Sequence, residues 1–155
     1  MKKLANLLVS KNLRIATAES CTGGLFGYTL SKIPGASQYY MGTITAYNNS
    51  VKKNILNVSN SIFENNLVIS KDCVIEMING LKSIIKANIY IAITGNAGPS
   101  YNKEELKGTT YYAIQFNNYL ETGTIKILNM ERTNIQKIIV TKIIEKIIDI
   151  LKREK

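Results

Sequence analysis

A serine, a cysteine and two glycines stand together in Glu19-Ser20-Cys21-Thr22-Gly23-Gly24, between an apolar run, Arg14 to Ala18, and a second one beginning at Leu25. Hydroxyl and thiol are the side chains that attack carbonyl carbon. Glycines let the backbone turn sharply and approach a ligand closely. Two readings of this stretch stay open. Ser20 is a nucleophile, or Ser20 and Thr22 only cap the helix that follows. Cys21 is a second nucleophile, or a small buried residue in a tight turn. Glu19 orients a site group, or pairs with a surface lysine. Composition narrows the chemistry, because the chain has no histidine. A Ser-His-Asp or Cys-His arrangement within it is impossible, and so is a zinc site built on histidine. A base for Ser20 must therefore be Lys, Tyr, Asp or Glu. A lysine serves if burial or a neighbouring cation brings its pKa down from about 10.4 toward neutrality.

A second glycine-bearing loop, Thr94-Gly95-Asn96-Ala97-Gly98-Pro99, follows another apolar run, Ile89 to Thr94. Both apolar runs read as buried strands, and both loops then leave strand ends. In open α/β sheets that edge is where ligands bind. The remaining elements must bring the two loops together. Lys3 to Val9 reads as a short amphipathic helix, and a second helix runs from Leu25 to the breaker Pro34-Gly35. Tyr39 to Tyr47 is aromatic and β-branched and reads as a strand. Asn48-Asn49-Ser50 is a turn with N-cap chemistry before a short helix, Val51 to Leu56. Residues 57–66 read as a loop with one helical turn at Ile62-Phe63. Ser70 caps a helix reaching about Lys86. After a polar loop at 100–107 come a strand from Thr109 to Phe116, a turn or irregular crossing from Asn117, a strand from Thr124 to Leu128, and a helix from Thr133 to near the end. Crossover and hairpin connections together predict a three-layer α/β domain with a mixed sheet.

At 155 residues the chain suits one domain. Its formal charge of +9 comes from scattered lysines rather than a basic stripe, so no specific nucleic-acid partner is expected. A positive field would also serve a small anionic substrate. No apolar run is long enough to span a membrane and no secretory cleavage pattern follows Met1, so a cytoplasmic protein without a membrane partner is expected. Two cysteines, Cys21 and Cys73, are too few for a disulfide framework.

Five segments carry a family likeness: Thr17 to Leu25, Pro34-Gly35-Ala36-Ser37, Tyr47 with Asn49 and Lys52, Thr94 to Pro99, and Lys107-Gly108-Thr109. In this order they resemble the C-terminal domain family of the competence/damage-inducible protein CinA, whose members include nicotinamide mononucleotide deamidase. The resemblance implies a three-layer α/β serine amidohydrolase that needs no metal or other cofactor. Such an enzyme converts nicotinamide mononucleotide and water to nicotinic acid mononucleotide and ammonia. By position it makes Ser20 the nucleophile, Lys52 the general base and Tyr47 the partner in proton transfer. Cys21, Thr22, Gly23, Gly24, Asn49, Thr94, Gly95 and Gly98 become candidates for binding substrate, and Arg132 for meeting its phosphate. Where the family usually has a second arginine, one helical turn later, stands Gln136. Lys53, Arg132 and the N-terminus of the second helix are candidate sources of the positive potential that would depress the Lys52 pKa. Backbone amides in either glycine loop are candidates for an oxyanion site. The resemblance and an isoleucine-rich surface suggest a homo-oligomer. Larger family members carry an N-terminal domain that these 155 residues do not contain. The rival readings are a nucleotide-binding module of the same fold without catalysis, and a basic nucleic-acid-binding protein.

Overall fold

Three apolar runs make the centre of the sheet. β1 (Ile15–Glu19) lies between β2 (Tyr40–Thr45) and β3 (Ile89–Gly95), parallel to both. β4 (Thr109–Phe116) and β5 (Tyr119–Lys126) continue it antiparallel, so the order is β2-β1-β3-β4-β5 and the sheet is mixed, as the sequence predicts. The computed structural model describes residues 1–98 and 106–153. Pro99 and most of the polar loop expected at 100–107 lie outside the described residues.

Strand alternation sorts the side chains into two cores. Ile15, Ile89, Ile91, Ile93, Tyr112, Ile114 and Phe116 face one side. There they meet α1 (Lys2–Ser10), α2 (Leu25–Ser31) and α6 (Arg132–Arg153) through Leu4, Leu8, Phe26, Leu30, Ile139 and Ile143. Ala16, Ala18, Ala92 and Ala113 face the other side. These small residues leave room for α5 (Lys71–Ile84), which packs there with the short helices α3 (Asn49–Asn54) and α4 (Asn60–Glu64). The caps are where the sequence puts them. Asn48 Oδ1 accepts from the Ser50 amide and Ser70 Oγ from the Cys73 amide.

The second core is close-fitting at Gly80. A Cβ added there would run into the Leu56 carbonyl oxygen. Gly80→Ala is therefore expected to destabilise the fold by about 1–3 kcal/mol. Thermal denaturation should read this as a Tm drop on the order of 5 °C, and an unchanged Tm would contradict the packing.

Two boundaries differ from the sequence reading in ways that matter. β2 ends at Thr45, two residues short of Tyr47. β5 starts at Tyr119 rather than Thr124, because Asn117 takes a left-handed φ of 51° and closes a tight hairpin with Phe116 opposite Tyr119. No irregular crossing intervenes.

From β1 the chain passes through α2 on one face to β2. It then returns through α5 on the other face to β3, on the far side of β1. Strand order thus reverses at β1, and a crevice opens beyond the carboxyl ends of β1 and β3. At its base the Ser20 amide donates to the Ile93 carbonyl of β3 (3.0 Å), and the Ala46 amide, just after β2, donates to the Glu19 carbonyl of β1 (2.7 Å).

Candidate active site

Ser20 follows β1 directly, and alternation turns its side chain to the α5 face, opposite Glu19. The first turns of α3 bring Lys52 beneath it. Lys52 Nζ reaches Ser20 Oγ at 3.1 Å and donates to the carbonyls of Ala46 (2.8 Å) and Tyr47 (3.4 Å). The lysine is 1 % exposed, and among the described residues no carboxylate pairs with it. Burial lowers its pKa from 10.5, against a weaker upward pull from the Cys73 and Cys21 thiols. The Lys53 and Arg132 cations are not among the causes, so burial rather than a cationic side chain lowers it. Lys53 is exposed and lines a separate cavity of about 360 Å³ with Asn60, Phe63 and Glu64.

The Ser20–Lys52 pair opens into a cavity of about 380 Å³. Cys21, Tyr47, Asn49, Thr94, Gly95, Gly98 and Arg132 line it as well, so nine of the residues singled out from the sequence meet in one place. Thr22, Gly23 and Gly24 do not line it. The Thr22 hydroxyl and the Gly24 amide both donate to Glu19, at 2.6 and 3.1 Å, and the turn faces α2 and α6 instead. Gly23 and Gly24 serve that turn with φ of 61° and 93°. Neither Ser20 nor Thr22 caps α2 by itself, since the Glu19 carboxylate does so. Among the described residues Glu19 pairs with no lysine, and it is 0 % exposed.

Tyr47 stands at the rim. Because β2 stops at Thr45, the chain has already turned, and the Tyr47 side chain is 60 % exposed. Its phenol accepts a hydrogen bond from Arg132 Nη2 (3.0 Å), while only its backbone carbonyl touches Lys52. The phenol makes no hydrogen bond to Ser20 or Lys52, although it lines the same cavity. Arg132 Nη1 donates to the Gly98 carbonyl, so the guanidinium ties the loop after β2 to the loop after β3. Beyond it an adjoining cavity of about 620 Å³ is lined by Lys107, Asn129, Glu131 and Arg132. Thr94 Oγ1 donates to the Val68 carbonyl (2.9 Å), which holds the segment before α5 against β3.

The Cys21 thiol is buried, 3.9 Å from Thr110 Oγ1, and burial pushes its pKa up to about 11. At neutral pH it is a thiol, not a thiolate nucleophile. Val68 and Ile69 also line the cavity and are not among the sequence candidates, while Asn96 and Ala97 belong to the second glycine loop that the sequence places at the ligand edge. The apolar run Leu67-Val68-Ile69 inside a polar stretch was the available signal for the first two. Gln136 Nε2 donates to the Cys21 carbonyl (2.8 Å), a contact with no signature in the sequence. Among the described residues no group of three or more His, Cys, Asp and Glu side chains is placed to hold a metal ion, and no helix is long and apolar enough to cross a membrane.

Comparison with known proteins agrees with this architecture. The sequence model of the CinA C-terminal domain matches residues 1–151. A CinA-like protein of Pseudothermotoga lettingae is 48% identical over 109 residues, 70% of this chain and 27% of that protein. A putative competence-damage inducible protein of Halalkalibacterium halodurans is 40% identical over 75% of this chain and 28% of its own length. The chain thus spans about a quarter of the length of these two relatives. Protein MG115 homolog of Mycoplasma pneumoniae is 35% identical over 96% of this chain and 94% of its own. Among solved structures, the competence damage-inducible protein A of Klebsiella pneumoniae superposes with a TM-score of 0.93 at 25% identity, covering 99% of this chain and 96% of that one. On the match over residues 1–151, the chain belongs to the CinA C-terminal domain family.

Proposed function

We propose that the chain is a serine amidohydrolase acting on nicotinamide mononucleotide, with Ser20 as nucleophile and Lys52 as general base. The observation that carries this reading is the buried Lys52 amine 3.1 Å from the Ser20 hydroxyl. A neutral amine has two N–H bonds and one lone pair. The carbonyls of Ala46 and Tyr47 accept the two N–H bonds, which leaves the lone pair for the proton of Ser20.

In the proposed reaction Ser20 Oγ attacks the carboxamide carbon as its proton passes to Lys52 Nζ. The tetrahedral intermediate collapses, the C–N bond breaks, and Lys52 returns the proton to the leaving nitrogen, giving ammonia and an acyl-serine. Water then attacks the ester, loses a proton to Lys52, and releases the carboxylate as Ser20 is reprotonated. We assign oxyanion stabilisation to the Cys21 amide, which follows the nucleophile. The amides of Gly23, Gly24, Asn96 and Gly98 are committed to Ser20 O, Glu19 Oε2, Thr109 O and Asn96 Oδ1. A single such donor contributes about 2.7–4 kcal/mol to an acyl-transfer transition state.

Substrate identity rests on the family resemblance, and two features support it. Arg132 presents a guanidinium between the cavity and the adjoining lobe near Lys107, where an anionic group would be met. Its hydrogen bond to Tyr47 suggests that this tyrosine positions the arginine, so we place the proton transfers on Lys52 alone. Ammonia release by the purified chain tests the reading. Turnover of nicotinamide mononucleotide well above that of the phosphate-free riboside is expected. No ammonia from any nucleotide carboxamide would overturn it, and tight nucleotide binding without turnover would favour a non-catalytic binding module instead.

A further inference from the structure

The turn that presents Ser20 is gripped from two sides by residues that do not reach the cavity. On the inner side Glu19 contributes a fully buried carboxylate with no cation opposite it among the described residues. Oε2 accepts from the Thr22 hydroxyl (2.6 Å) and from the amides of Gly24 (3.1 Å) and Phe26 (3.0 Å). Oε1 accepts from the Gly27 amide (2.7 Å) and the Thr17 hydroxyl (3.4 Å). Five donors thus converge on one carboxylate and satisfy the first amides of α2, which would otherwise be orphaned. On the outer side Gln136 reaches down from α6 and donates to the Cys21 carbonyl at 2.8 Å. Its Nε2 also passes close to Gly23, where an added Cβ would lie 3.9 Å away.

We infer that Glu19 and Gln136 are positioning residues that hold the 20–24 turn so that Ser20 Oγ stays in line with the Lys52 amine. The inference rests on the proposed function for its kinetic consequences. Alternation along β1 matters here. Glu19 sits one residue from the nucleophile yet on the opposite face of the sheet, so its charge serves the turn without pairing with Lys52 and restoring that amine's proton. A serine whose hydroxyl drifts by an ångström from its base loses on the order of 100-fold in rate while the binding cavity remains.

Two sets of variants test the clamp. Glu19→Gln keeps the size but turns one acceptor into a donor, which faces either the Gly24 and Phe26 amides or the Gly27 amide. Its kcat is expected to fall by about 100-fold with KM within about threefold. In amide exchange, Gly24, Phe26 and Gly27 should lose at least about tenfold protection relative to wild type, a readout that needs no turnover. Gln136→Glu sets a carboxylate against the Cys21 carbonyl at a half-buried surface position and should fold whatever Glu19→Gln does. Its kcat is expected to fall by about tenfold at unchanged KM, and Gln136→Lys, which restores a donor, should recover most of it. A folded Glu19→Gln with wild-type kcat and wild-type exchange, or a Gln136→Glu as active as wild type, would overturn the inference. Failure of wild-type turnover would instead remove the proposed function and leave the exchange result to decide the clamp.

Discussion

Lys52→Arg is expected to reduce kcat by about 10³- to 10⁴-fold on the proposed substrate, close to the effect of removing a whole general base. Arginine keeps N–H donors and can still reach toward Ser20 Oγ. It has no lone pair to offer, because a guanidinium stays protonated at every pH a protein survives. In the wild type the working form is the free amine. Activity should therefore rise with pH through the Lys52 pKa, and that limb should lie below 10.5 because burial disfavours the ammonium. Stability follows the same titration. The folded protein gives up this proton at lower pH than the unfolded chain, so between the two values the unfolded state holds more protons and stability climbs with pH toward about 10.5. Below the folded value the penalty of burying the ammonium is fully present. Activity-pH profiles and denaturation at several pH values check both limbs. Lys52→Met should lack the rise in stability.

Ser20→Ala should be more severe still, with kcat lower by about 10⁴- to 10⁶-fold and KM changed little. The methyl group fills the place of the hydroxymethyl group without reshaping the cavity. Lys52 Nζ keeps the carbonyls of Ala46 and Tyr47 when Ser20 Oγ is gone, so the loss of stability should stay within about 1 kcal/mol. Steady-state ammonia release beside thermal denaturation separates the two quantities. Residual activity near wild type would place the nucleophile elsewhere.

How far the sequence carries depends on whether a property is local. β1 and β3 are legible because parallel strands covered on both faces read as continuous apolar runs. Ser70 and Asn48 are legible as caps because the bond spans only two or three residues. The absence of histidine leaves the base open among Lys, Tyr, Asp and Glu, and only the family resemblance singles out Ser20 and Lys52; their 3.1 Å approach is made by a crossover through β2 and α3 that no spacing encodes. Tyr47 lines the cavity with Ser20 and Lys52, but the bond of its phenol to Arg132, 85 residues away in sequence, is not legible from spacing. Thr22, Gly23 and Gly24 mislead because they belong to the motif of the site yet face α2. Glu19, open between orienting and surface pairing in the sequence, proves to be the buried anchor of that turn. Gln136 is visible in the sequence only as a missing arginine, and its contact with Cys21 exists only once α6 lies against the turn.

Burial lowers the pKa of a lysine amine that stands 3.1 Å from a serine hydroxyl, and the proposed catalysis depends on that depression. Following the Lys52 Cε and Nζ resonances by NMR across a pH titration, with Lys52→Met to assign them, tests it directly. A midpoint clearly below 10.5 that coincides with the rising limb of the activity profile is the predicted result. A Lys52 that titrates at or above 10.5, or whose titration leaves turnover untouched, would contradict the account.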